Sequence, residues 1–342
     1  MTDLFNKLLI LRTPGIGPVK YADLISRFGS VDAAAASLGA DDTLKDAVHR
    51  EMDRAASLGV TFLTDEDERY PVALRAIKNH PPILTVRGNI DTLSKPIVGM
   101  VGTRHATGAG MRFISELARD FADHGYAVVS GMAMGTDTAA HTGALNANGD
   151  QQTIAVLAGG VDYIWPLENE ALYHKIIERG AIISEMPVGF IPIATNFAQR
   201  NRWVAGMSEK LILGEADLKS GSIITARFAI KVSRPVYAVP SHPSDARAAG
   251  PNKLIKEGVA TLCMGSKDFF DEISTSNTDQ KQLNLKKNEK ENDLLDKLGI
   301  IPQSESVLAE LVKKSVAEIK CDLVVLELQG LARKQNGGYV KA

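Results

Sequence analysis

Between residues 95 and 272, short apolar runs alternate with helix-length amphipathic stretches, and this alternation fixes most of what the chain can fold into. The runs lie at residues 97–102, 126–130, 153–158, 181–184, 210–215, 235–240 and 260–263. They are apolar almost throughout rather than at every second residue, as strands covered on both faces must be. The stretches between them, at residues 109–124, 137–146, 171–179 and 222–232, place apolar residues at helical spacing. This pattern predicts an α/β, Rossmann-like, doubly wound and mostly parallel sheet over residues 91–272. A ligand site on such a sheet lies at the carboxyl ends of the strands, near the point where the strand order reverses.

The flanking segments have a different texture. Residues 1–90 are Ala-rich and helical in pattern, forming a small N-terminal region. They contain Leu11-Arg12-Thr13-Pro14-Gly15-Ile16-Gly17-Pro18, a helical stretch at residues 19–28, and Gly29. That outline fits a helix-hairpin-helix whose glycine amides approach a DNA phosphate, and equally a plain helical hairpin. Residues 273–292 are polar and read as a linker. Residues 293–342 show three short helical patterns and a Gly337-Gly338 turn, the order of a winged helix. Its longest helix, at residues 315–329, offers only Lys320 as a base against Glu318, Asp322 and Glu327. Protein docking therefore suits this tail better than reading of the major groove.

Composition narrows the function classes. A net charge of −2 gives no overall pull towards nucleic acid, so any such site must be a local basic patch. The two cysteines, Cys263 and Cys321, are far apart and no His/Cys cluster has zinc spacing, which speaks against a disulfide framework and a structural metal. No run of about 20 apolar residues exists, so a membrane span is not expected, and the chain reads as cytoplasmic and reduced.

The loops after the strands are rich in Gly, Ser and Thr. The first, Gly102-Thr103-Arg104, puts free N–H groups and a helix start at the sheet rim, with Arg104 adding a charged fork for a phosphate. It matches neither GxGxxG nor GxxxxGK[ST], and Ser130-Gly131 stands where an acidic ribose ligand would follow the second strand, so neither a dinucleotide nor a triphosphate cofactor is expected. Ser130-Gly131-Met132-Ala133, Ala158-Gly159-Gly160-Val161-Asp162 and Ser220-Gly221-Ser222 share this character. Singly, such glycines serve close helix packing; as a row along one rim they suit a polymer with repeated phosphates. Arg200 and Arg202 lie two apart, so on a helix they diverge by about 200° and only one faces a given ligand. Phe197, ahead of that helix, offers either a stacking ring or a core side chain. Asp137 and His141 share a helical face, as a general-base pair or as a capping carboxylate beside a buried histidine; no nucleophile is evident, which favours the second. Glu185 and Glu215 end strands, as acid/base groups or as braces for Arg200 or Arg202.

Taken in order, Val101-Gly102-Thr103-Arg104, Ser130-Gly131-Met132-Ala133-x-Gly135-x-Asp137-x-x-Ala140-His141, Ala155-Val156-Leu157-Ala158-x-Gly160-x-Asp162, Phe197-x-x-Arg200-Asn201-Arg202 and Ser220-Gly221-Ser222-x-x-Thr225-Ala226 resemble the bacterial DNA-processing protein A (Smf) family. The resemblance covers roughly residues 60–265. It implies a Rossmann-like core that forms a homodimer, binds single-stranded DNA, protects incoming strands and loads the RecA recombinase during natural transformation, without catalysis. It places Gly102, Thr103 and Arg104 in a phosphate-binding turn and Phe197, Arg200, Asn201 and Arg202 along the same groove; the row of loops adds Ser130, Gly131, Ser220, Gly221 and Ser222 as expected DNA contacts. Positions commonly basic in that family hold Ala194 and Leu167, and its usual Pro-Gly is Pro240-Ser241, which leaves Lys175, Arg247 or Lys253 to compensate. The alternative is a nucleoside-monophosphate hydrolase of related fold, but the chain has no PGGxGT motif.

Overall fold

The computed structural model describes residues 2–149, 152–275, 294–295, 297–299, 302–328, 331–335 and 337–341. The chain divides into two units, Met1–Glu272 and Ile273–Ala342. The first begins with helices α1 (Thr2–Arg12), α2 (Pro18–Phe28), α3 (Val31–Ser37) and α4 (Asp42–Ser57). Pro18 starts α2, where its missing N–H costs no hydrogen bond. Leu8, Ile10, Tyr21, Ala34 and Val48 form a small core between these helices, with Ile83 from the sheet closing it.

A nine-stranded sheet follows: β1 (Val60–Thr64), β2 (Ile83–Gly88), β3 (Ile97–Val101), β4 (Ala127–Ser130), β5 (Thr153–Val156), β6 (Ala181–Ser184), β7 (Lys210–Leu213), β8 (Val236–Ala238) and β9 (Thr261–Leu262), in the order β1-β2-β6-β5-β4-β3-β7-β8-β9. Short α5 (Val72–Arg75) lies between β1 and β2; α6 (Gly108–Asp123), α7 (Thr136–Leu145), α8 (Glu170–Arg179), α9 (Ala194–Met207), α10 (Gly221–Lys231) and α11 (Ala249–Lys256) connect the strands from β3 onward, and α12 (Ser266–Thr275) follows β9. All pairings from β6 to β9 across the sheet are parallel; β2 is antiparallel to β6 and β1 to β2.

All seven expected strands are present, and the four expected helices lie within a residue or so of their bounds. The doubly wound sheet is thus as the alternation requires. One expectation is corrected. The helical region does not run to residue 90, because residues 60–64 and 83–88 are strands that extend the sheet beyond β6. β2 joins the main sheet through antiparallel pairing with β6, about 95 residues later, and that partner leaves no local pattern.

Side chains alternate to the two faces as a pleated strand demands. In β3, Ile97 and Val101 pack with Trp203 and Val204 of α9 and Ala226 of α10, while Val98 and Met100 pack with Ile114 and Phe121 of α6 and Ala140 of α7. From β3 the chain steps through β4 and β5 to β6, then returns to place β7 on the other side of β3. The order therefore reverses between β3 and β7.

In the second unit, α13 (Glu305–Val312) and α14 (Val316–Leu328) precede an antiparallel hairpin of β10 (Ala332–Gln335) and β11 (Gly338–Lys341). Leu294, Leu298, Leu308, Ile319, Leu323 and Tyr339 form its core. Except for residues 273–275, which close α12, the expected linker at 273–292 lies outside the described residues.

Candidate functional site

A cleft of about 280 Å³ opens at the strand-order reversal. Its lining includes Gly102, Thr103 and Arg104 after β3, Gly131 and Ala133 after β4, Phe197, Arg200 and Asn201 of α9, and Ser220, Gly221 and Ser222 at the start of α10. Three of the four Gly-, Ser- and Thr-rich loops thus meet at one rim. The fourth does not. Gly159 and Gly160 are buried under Phe190, Pro192 and Pro187, and the Asp162 carboxylate accepts from Arg54 (2.7 Å) and from the Gly189 N–H (2.7 Å). Residues 187–192 fill that cup, so the row is shorter than expected.

The loop after β3 is held by backbone and side-chain bonds. Thr103 N–H donates to the Glu215 carbonyl (2.6 Å), and the Thr103 carbonyl accepts from Thr136 N–H (3.1 Å). Glu215 is not a free acid or base, nor does it brace an arginine. Its carboxylate accepts from Thr107 N–H (2.7 Å) and the Thr107 hydroxyl (2.5 Å), while the Thr107 oxygen caps α6 by accepting from Gly110 N–H (2.9 Å). Gly102 is required for close approach, since a Cβ there would lie 2.3 Å from Thr136 Oγ1. Removing the Glu215 carboxylate (Glu215→Ala) leaves two half-buried Thr107 donors unpaired and is expected to cost about 1–3 kcal/mol in urea unfolding. An unchanged midpoint would remove Glu215 from this role.

The two arginines of α9 separate as their spacing requires. Arg200 is buried: its guanidinium donates to the carbonyls of Gly131 and Val156, at the ends of β4 and β5, and to Asn201 Oδ1 (3.0 Å). Burial lowers its pKa to about 10, against the pull of Asp137, so it stays charged at neutral pH. Because Asn201 spends its oxygen on Arg200, its NH₂ donors remain for the cleft. Arg202 is absent from this lining. It is exposed and borders a second cleft, of about 390 Å³, with the residue 11–18 hairpin and Glu185. Burial raises the Glu185 pKa, partly offset by Arg202. Ser130 is likewise withdrawn, because it is buried and its hydroxyl donates to the Met100 carbonyl (2.6 Å).

Asp137 and His141 do not form a catalytic pair. Asp137 is buried in the first turn of α7 and accepts from Ala133 N–H (3.2 Å); burial raises its pKa, opposed by Arg200. The Thr153 hydroxyl donates to the Val128 carbonyl (2.7 Å), so its oxygen accepts from His141 Nδ1–H at 2.7 Å. Burial, with Arg200 nearby, pushes the His141 pKa down to about 3 and keeps the ring neutral.

At the mouth of the cleft the cation is Arg104, which is exposed. Phe197 lies within α9 rather than ahead of it, half-buried, and its ring meets Trp165 edge to face at 4.7 Å. Trp165 is not among the residues expected at the site, although its only local signal, an aromatic followed by proline after the Asp162 loop, stands in the sequence. Of the three possible compensating cations, Arg247 borders the site, pairing with Asp245 (2.8 Å) and donating to the His105 carbonyl (3.4 Å); Lys253 pairs with Glu257 (3.7 Å).

A doubly wound sheet with an N–H- and hydroxyl-lined cleft at its switch point, and an exposed arginine at the mouth, is the arrangement on which α/β proteins take up phosphate groups. Comparison with known proteins narrows the class. The family model for DNA recombination-mediator protein A matches residues 61–274, a span that includes β2 and all but the first residue of β1, and a DprA-like N-terminal HHH domain matches residues 2–42. The chain belongs to the DNA recombination-mediator protein A family. Protein Smf of Synechocystis is 40% identical over 59% of this chain, which spans only about half (51%) of that protein. DNA processing protein DprA of Bacillus subtilis is 35% identical over 64% of this chain and 73% of its own length. Among solved structures, DNA processing protein A from Streptococcus pneumoniae superposes with a TM-score of 0.62 at 28% identity, covering 79% of this chain and 94% of that one. The Helicobacter pylori protein, whose structure describes a single-stranded DNA binding mode, gives 0.57 at 32% identity over 64% of this chain and 96% of its own.

Proposed function

We propose that the cleft binds single-stranded DNA and that the protein acts as a recombination mediator, protecting incoming strands and loading the RecA recombinase during natural transformation. The observation that carries this reading is the convergence of three amide- and hydroxyl-rich loops around the exposed Arg104 at the strand-order reversal. Backbone phosphates take the N–H groups of Gly102 and of Gly221 at the α10 start, with Asn201 donating beside them. Arg200 acts as the internal brace of that surface. Strands held mainly through backbone phosphates and ring stacking carry little base-edge readout, so sequence preference is weak.

The remaining roles are proposals of the same reading: a homodimer through the α/β domain, action in the cytoplasm, and a winged-helix tail that docks a protein. Lys320, the one base on α14, is already paired with Glu305 (3.4 Å), which supports docking over duplex reading. No catalysis is proposed, since Asp137 and Glu215 are both engaged and His141 is neutral and buried. Free base released from nucleoside monophosphates at an enzymic rate would overturn that.

The test is titration of labelled oligo-dT at several salt concentrations. Binding at low salt that falls steeply with added salt is expected. Arg104→Ala weakens it and lowers the slope of log affinity against log salt by about 0.7, the value for one phosphate contact on a single strand. Stability changes by less than about 1 kcal/mol, because an exposed arginine contributes little. No binding by the intact protein at low salt refutes the reading, and an unchanged slope removes Arg104 from the site.

A further inference from the structure

Arg104 has neighbours that a phosphate contact leaves unused. Its guanidinium carbon lies over the Trp165 ring, 5.0 Å from the centroid, and 6.0 Å from that of Phe197. Both rings are half-buried; Phe197 lines the cleft, and Trp165 stands against it edge to face. Residues close to them in sequence are apolar yet open to solvent: Leu167, two after Trp165, is 71% exposed, and Ile193, four before Phe197, is 65% exposed. Water-facing apolar surface beside a polar binding cleft marks a place where a flat, apolar ligand face is taken up. A nucleic-acid strand has such faces beside its phosphates.

Building on the single-stranded DNA reading, we propose that Trp165 is a nucleobase-stacking residue whose ring Arg104 covers until a strand binds. The guanidinium and a base are both flat and both favour a ring face. A guanidinium over a half-buried surface ring is weakly held, whereas a base stacked on an aromatic ring is a stronger contact in single-strand recognition. The exchange releases Arg104 from the ring to meet the adjacent phosphate. Trp165 and Phe197 then form one wall for a base, and the amide-lined loops form the floor for the backbone.

The chain has two tryptophans, and Trp203 is only 2% exposed, so a fluorescence change on binding reports Trp165. The experiment titrates the full chain with oligo-dT and with an abasic deoxyribose-phosphate strand of equal length and charge. Oligo-dT is expected to quench the emission, and the abasic strand to leave it unchanged while binding about tenfold more weakly. Trp165→Ala should lose about tenfold in affinity for oligo-dT and nothing for the abasic strand, while Trp165→Phe retains wild-type affinity. Arg104→Ala should still show the quench. If Trp165→Ala binds oligo-dT as tightly as the wild type, or if the abasic strand binds the wild type equally well, Trp165 does not stack on a base, although single-stranded DNA binding stands. If the wild type binds neither strand, both readings fall.

Discussion

Replacing Arg200 with alanine is expected to unfold the α/β domain more readily rather than merely weaken ligand binding, at a cost of about 3–5 kcal/mol. Arg200 is 5% exposed, and its guanidinium is the donor for the Gly131 and Val156 carbonyls. It is also the counter-charge of Asp137, which is itself 7% exposed. Alanine leaves two carbonyls at strand ends without a donor and one carboxylate buried without a cation. The loss should depend on pH with a definite sign. The Asp137 pKa is already raised by burial and rises further without Arg200. A raised carboxyl favours the folded state at low pH and loses that contribution as pH climbs, so the deficit of Arg200→Ala shrinks on acidification. Urea unfolding followed by tryptophan emission measures it. A loss below about 1 kcal/mol at neutral pH, typical of an exposed pair, contradicts the assignment of Arg200 as a buried brace.

The second large effect comes from His141. Its folded pKa of about 3 lies below that of an unfolded histidine, about 6.5, so unfolding takes up a proton between these values. Stability is therefore fully present above pH 6.5 and falls as pH drops towards 3, by about 1.4 kcal/mol per unit, or about 2 kcal/mol between pH 6.5 and 5. The carboxyls whose pKa burial raises, Asp137, Glu185 and Glu209, act in the opposite sense. The comparison is accordingly made between the wild type and His141→Asn, where those contributions cancel. The variant should be less stable at pH 7, having lost the Thr153 bond, and its stability should fall less between pH 6.5 and 5. Parallel pH profiles for the two proteins would mean that His141 titrates normally and is not sealed in the core.

Several site residues were legible because their signal is local. Gly102 and Gly131 stand in strand-to-helix turns, and Ser220 caps α10, accepting from Ser222 N–H (3.2 Å). The two-residue spacing of Arg200 and Arg202 was enough to foresee that they part company. Which of them becomes the buried brace was not legible, because that depends on carbonyls 69 and 44 residues away. Ser130 looked like its neighbour Gly131 in sequence, yet an even-odd step in the pleat turned its hydroxyl into the sheet. The loop at residues 158–162 looked like another open cup, and only the later segment at 187–192, packed over its glycines, closes it.

By itself the sequence determined the strand-helix alternation, hence the parallel sheet, its switch point and the rim on which ligand loops stand, because hydrophobic period and glycine placement act within a few residues. Tertiary structure decided the rest: that β1 and β2 join the sheet, that Glu215 braces Thr107, that Arg200 is sealed in, and that Trp165, Phe197 and Arg104 meet at one mouth. Those outcomes rest on contacts between segments far apart in the chain, whose energies depend on what else is buried beside them and therefore leave no local pattern to read.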